Sequence, residues 1–83
     1  MDKLTVEAIR LRNEIYAANP NAGSIEQYLL NVLDPFIETL EIDGEPQRGS
    51  TDGLSRFCVE NLDWSSPLYK RCVALIENAR ARF

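Results

Sequence analysis

The side chains able to do chemistry in this 83-residue chain are mostly carboxylates, and they are unevenly placed. From Asn13 to Gln47 the only charged residues are Glu14, Glu26, Asp34, Glu38, Glu41, Asp43 and Glu45, with no Lys, Arg or His among them. The two ends are mildly basic. Lys3, Arg10 and Arg12 outnumber Asp2 and Glu7, and the six cations from Arg48 to Arg82 outnumber Asp52, Glu60, Asp63 and Glu77. A net charge of −4 therefore conceals an acidic middle. Carboxylates in this arrangement can do acid–base work only inside a deep pocket, which so small a chain seldom encloses. Their simpler chemistry is to attract and orient a cationic surface.

Catalysis by other groups has little to stand on. With no histidine in the chain, a serine or cysteine nucleophile lacks its usual base, and no Gly-rich phosphate loop is present. No catalytic residue, enzyme activity or cofactor is expected. Cys58 and Cys72 have no histidine and no further cysteine with which to complete a zinc tetrad. An EF-hand register with Gly44 at the obligatory glycine puts Thr39 and Ser50 at the terminal ligand positions, and neither fits. No metal is expected. The two cysteines flank the turn near Trp64 at similar distances, so an antiparallel hairpin sets them level on inward stripes. A disulfide between them is geometrically conceivable if their Cα atoms come within about 7 Å, but the expectation is a pair of free thiols in the core, where cysteine behaves as a small hydrophobe.

The elements that must position these groups read as helices throughout. Leu4, Ala8, Leu11, Ile15 and Ala18 share a stripe at helical spacing, predicting a first helix over 5–18 with Thr5 as its N-cap. Asn19 to Gly23 then stops it. Ser24 and Gln27 form a capping box for a second helix that ends near Glu41. That helix carries Leu29, Leu33, Phe36 and Leu40 inward, with Ile25, Val32 and Ile37 beside them, and is kinked or split at Pro35. Ile42 to Asp52 is rich in turn residues and predicts a long loop. A third helix over 53–61 follows, capped by Ser50, Thr51 or Asp52 and burying Leu54, Phe57, Cys58 and Leu62. Ser66 and Pro67 open the last helix, whose stripe is Leu68, Cys72, Leu75, Ile76, Ala79 and Phe83.

The predicted fold is all-α, a compact bundle of four helices forming a single domain over residues 1–83. A hydrophobic fraction of 45% is ordinary for a globular protein and argues against disorder of the whole chain. No run approaches the roughly 18 apolar residues of a membrane span. The first residues lack the apolar core of a secretory signal. A cytoplasmic protein with no membrane partner is expected.

Function is predicted from surfaces. Asp34, Glu38 and Glu41 lie opposite the apolar stripe of the second helix, and Asp43 and Glu45 extend that acidic face into the following loop. A purely solubilising helix face usually mixes Lys with Glu to gain i,i+4 pairs; this one forgoes them. Ile9, Tyr16, Trp64 and Tyr69 fall outside the main stripes and are candidate contacts with a partner or a second copy. The prediction is a small acidic protein–protein interaction module, an inhibitor or adaptor that binds a larger protein with a basic surface. Proteins of this class are also encoded by phages and other mobile elements. A homodimer is a further expectation. The alternative is a dimeric DNA-binding regulator using the basic C-terminal helix, although a pI near 4.7 argues against nucleic acid as a partner.

Overall fold

Apolar residues recurring every three or four positions give each segment one face to bury, and packing those faces together decides the architecture. A computed structural model describes residues 2–83, and among them the chain forms four α-helices and no strand. They are α1 (Lys3–Ala17), α2 (Ile25–Asp43), α3 (Arg48–Asn61) and α4 (Pro67–Arg80). Each helix packs on its neighbour in sequence, and α1 closes the ring against α4. The result is a four-helix bundle of 31 × 22 × 19 Å, as the sequence predicts. Short connections make consecutive helices antiparallel. Phe36, Leu29, Leu33, Ile37, Leu11 and Leu54 fill its centre.

The helix starts show which polar residues won the capping positions. Asp2, not Thr5, caps α1: its Oδ1 accepts the Thr5 N–H at 2.9 Å. Thr5 instead lies within the first turn and is buried. Ser24 caps α2 by accepting the Gln27 N–H at 3.2 Å, and Ser66 caps α4 by accepting that of Tyr69 at 3.1 Å, with Pro67 at the first helical position. Both serine caps agree with the sequence reading, although the Ser24 N–H donates to the Asn21 carbonyl at 3.1 Å and not to the Gln27 side chain.

Of the two forms expected at Pro35, one bent helix or two short ones, the chain forms a single helix that runs through the proline. Proline there leaves the Asn31 carbonyl without its helical partner, and because Asn31 is exposed, water can satisfy that oxygen. The long loop expected over 42–52, by contrast, is absent. Helix α2 continues to Asp43 and stops at Gly44, whose left-handed φ of 73° lets its N–H reach the Leu40 carbonyl at 3.0 Å. Helix α3 then begins at Arg48, five residues earlier than predicted. Its anchor is Thr51, fully buried, whose hydroxyl donates to the Gln47 carbonyl at 2.6 Å. Ser50, Thr51 and Asp52 therefore lie inside the helix rather than capping it.

Cys58 and Cys72 face each other across α3 and α4, both free and fully buried. The neighbouring Cys72 thiol pushes the ionisation of Cys58 up, and burial adds to it. Three ion pairs clasp α4 and its end to the rest of the chain: Arg71 with Glu14 at 2.5 Å, Arg80 with Asp52 at 3.3 Å, and Arg82 with Asp2 at 2.8 Å. Arg48 stacks over the Phe83 ring at 4.9 Å and covers the same end of the bundle.

Candidate functional site

The groove between α1 and α2 gathers residues that are far apart in sequence. Arg12, Asn13 and Tyr16 of α1 line one wall, and Asp34, Glu38 and Glu41 of α2 line the other. The side chains fall there because α2 turns Leu29, Leu33, Phe36 and Leu40 into the core, which leaves its i, i+4, i+7 carboxylates on the shoulder beside α1. The Tyr16 hydroxyl donates to Asp34 Oδ2 at 3.3 Å. Arg12 reaches Glu41 at 3.9 Å. Glu38 stands exposed between them, with no ion-pair partner among the described residues.

Just over the crest of α1 lies an apolar strip formed by Val6, Ile9 and Ala17, bordered by Arg10, Asn13 and Glu14. Asn13 lines both this strip and the acidic groove, so the two are continuous. Ile9 is half-buried against the core, whereas Tyr16 is 52% exposed. Glu14 at the far border is held below the usual carboxylate range by the hydrogen bond it accepts from the Arg71 guanidinium. Five of the predicted contact residues, Ile9, Tyr16, Asp34, Glu38 and Glu41, are thus brought onto one side of the molecule.

The remaining predicted residues lie elsewhere. Asp43 ends α2, where its carboxylate accepts from the Gln47 side chain at 3.1 Å. Glu45 sits in the α2–α3 turn. Trp64 and Tyr69 form a separate patch at the α3–α4 turn, with ring centroids 6.3 Å apart and planes inclined by 26°. The indole N–H donates to the Val59 carbonyl at 2.9 Å, which fixes a ring that is 63% exposed. Tyr69 is partly buried against the core, so Trp64 is the open half of the pair.

Sequence reasoning missed an apolar flank on α2. Ile25 does not join the core as expected but is 46% exposed, and Tyr28 and Ile42 are 53% and 72% exposed. Its signal was available as a second set of apolar residues at helical spacing, masked by the stronger core stripe.

Comparison with protein-family models, curated proteins and solved structures finds no match to this chain. No helix among the described residues is long and apolar enough to cross a membrane.

Proposed function

We propose that this chain is a non-enzymatic protein–protein interaction module, an inhibitor or adaptor, that engages a basic surface of a larger protein through the α1–α2 side. The observation that carries the reading is the convergence of Asp34, Glu38 and Glu41 with Tyr16 and the Val6–Ile9–Ala17 strip. Carboxylates steer and register a cationic partner, while the adjacent apolar strip and a half-exposed tyrosine supply contact area. A carboxylate-lined groove with one cation, Arg12, also repels competing acidic surfaces.

The DNA-binding alternative has less support. Of the cations on and after α4, Arg71, Arg80 and Arg82 are each held by a carboxylate, which leaves Lys70 without an ion-pair partner among the described residues. Neutralised arginines offer phosphates little.

The test is differential capture. Immobilised wild type and the triple variant Asp34→Lys, Glu38→Lys, Glu41→Lys are exposed to the same lysate, and retained proteins are identified. The expected result is a protein with a basic surface retained by wild type and lost by the variant, with retention falling as salt rises. Equal capture by both would reduce the acidic side to solvation and overturn the reading.

A further inference from the structure

The outer flank of α2 carries a second stripe that the fold leaves uncovered. Ile25, Tyr28, Val32, Pro35, Thr39 and Ile42 follow one another at alternating spacings of three and four, and none is charged. Four of the six are exposed, with Ile42 at 72%, and Val32 and Thr39 are half-buried. Thr39 turns its hydroxyl back to the Phe36 carbonyl at 2.9 Å, which satisfies its only polar side-chain group. The three–four alternation is the repeat that lets one helix seat its knobs along another. Neither a strand nor an irregular loop has a matching repeat.

Charge selects the occupant. At 100° per residue the stripe lies about a third of a turn round α2 from the Asp34, Glu38 and Glu41 cluster. Glu38 forms the shoulder between them, three residues after Pro35 and four before Ile42. A second copy of this chain would bring an identical carboxylate shoulder to the seam, and α2 holds no Lys or Arg to pair with it. A helix with Lys or Arg along one flank meets both requirements.

We propose that the outer stripe of α2 is the seat for an amphipathic, basic helix of the partner protein, packed in coiled-coil fashion with its cationic flank over Glu38. This rests on the protein-binding reading above and names the partner's chemistry. The seat runs from Ile25 to Ile42, or about 27 Å, so the docking helix needs about five turns.

The probe is a fluorescein-labelled synthetic peptide of about three heptads, with Leu at the a and d positions and Lys along one flank. Two controls keep the length: one scrambles the same composition, and one replaces every Lys by Glu. Anisotropy gives affinity, and amide shifts of the labelled protein locate the contact. The Lys-flanked helix is expected to bind at least about tenfold tighter than either control. Its shifts centre on Tyr28, Val32 and Ile42. The double variant Tyr28→Glu, Ile42→Glu alters only exposed positions, and circular dichroism checks its fold. It is expected to lose about tenfold or more in affinity.

Equal binding of the scrambled peptide, or unchanged affinity in the double variant, overturns the proposal. So does sedimentation showing a wild-type dimer that the double variant dissolves, because the occupant would then be a second copy. Failure of the α1–α2 reading shows separately, as lysate capture that survives the charge-reversal variant.

Discussion

The four glycines of this chain are expected to respond to alanine with opposite signs, and the pattern tests the least anticipated part of the fold. Gly49 and Gly53 lie inside α3, and a Cβ built on either meets nothing within 4 Å. In a helix, replacing Gly by Ala gains about 0.5–1 kcal/mol, less near the first turn, where Gly49 sits. The double variant Gly49→Ala, Gly53→Ala should therefore gain about 1 kcal/mol, or a Tm increase of about 4–8 °C for a domain of this size. Gly44 and Gly23 also have room for a Cβ, but their φ angles of 73° and 83° penalise any side chain. Gly44→Ala and Gly23→Ala should each lose about 1 kcal/mol. Thermal melts followed by circular dichroism measure all four, and amide exchange at Thr51 and Asp52 should show helical protection. If Gly49→Ala and Gly53→Ala are neutral or destabilising and the two amides exchange freely, residues 48–52 are a loop and the α3 boundary is wrong.

Three further outcomes follow from the same contacts. Asp2, Glu14 and Asp63 are all held below the ordinary carboxylate range, by the Arg82 guanidinium, the Arg71 guanidinium and the Ser65 N–H respectively. The unfolded chain then takes up these protons at higher pH than the folded one. The stability they contribute is complete above about pH 5 and is lost as pH falls through about 4 toward their lowered values. Melting at stepped pH should show that decline, and Arg82→Gln should flatten it by removing the main cause at Asp2. Phe36→Ala, at a fully buried position in the centre of the bundle, should cost about 3–5 kcal/mol. Against a total of about 4–12 kcal/mol for a chain of this length, urea titration should show a large loss or no folded baseline. Cys58 and Cys72 should react with a thiol reagent only as fast as the bundle opens, and rapid modification of either in native buffer would contradict their burial.

The core of this bundle was legible because its signals are redundant. Leu4, Ala8, Leu11 and Ile15, or Cys72, Leu75, Ile76 and Ala79, each repeat at helical spacing, and a serine before Pro67 marks a start almost unaided. The α2–α3 connection was not legible, because Gly49, Ser50, Thr51, Asp52 and Gly53 are poor helix formers when judged one by one. What overrides propensity there is tertiary: a buried Thr51 methyl and a hydroxyl bonded to the Gln47 carbonyl, neither of which local composition reveals. The acidic face followed directly from the wheel of α2. Its nearness to Tyr16 and Arg12 did not, because that depends on how α1 and α2 pack.

Packing also changes the meaning of the charge segregation. Three of the six cations between Arg48 and Arg82 are drawn to carboxylates at the bundle's other seams: Arg71 to Glu14, Arg80 to Asp52 and Arg82 to Asp2. Each pair is at least partly exposed and contributes little to stability where solvent screens it. Their larger effect is on the field. With those arginines engaged, the groove carboxylates Asp34, Glu38 and Glu41 face one lining cation among the described residues, Arg12. Negative potential is therefore concentrated between α1 and the outer stripe of α2, beside apolar surface on either hand. An evenly mixed surface of the same net charge would keep the chain dispersed equally well. It would not orient a basic partner before contact, and orientation before contact is what a one-sided field contributes to association.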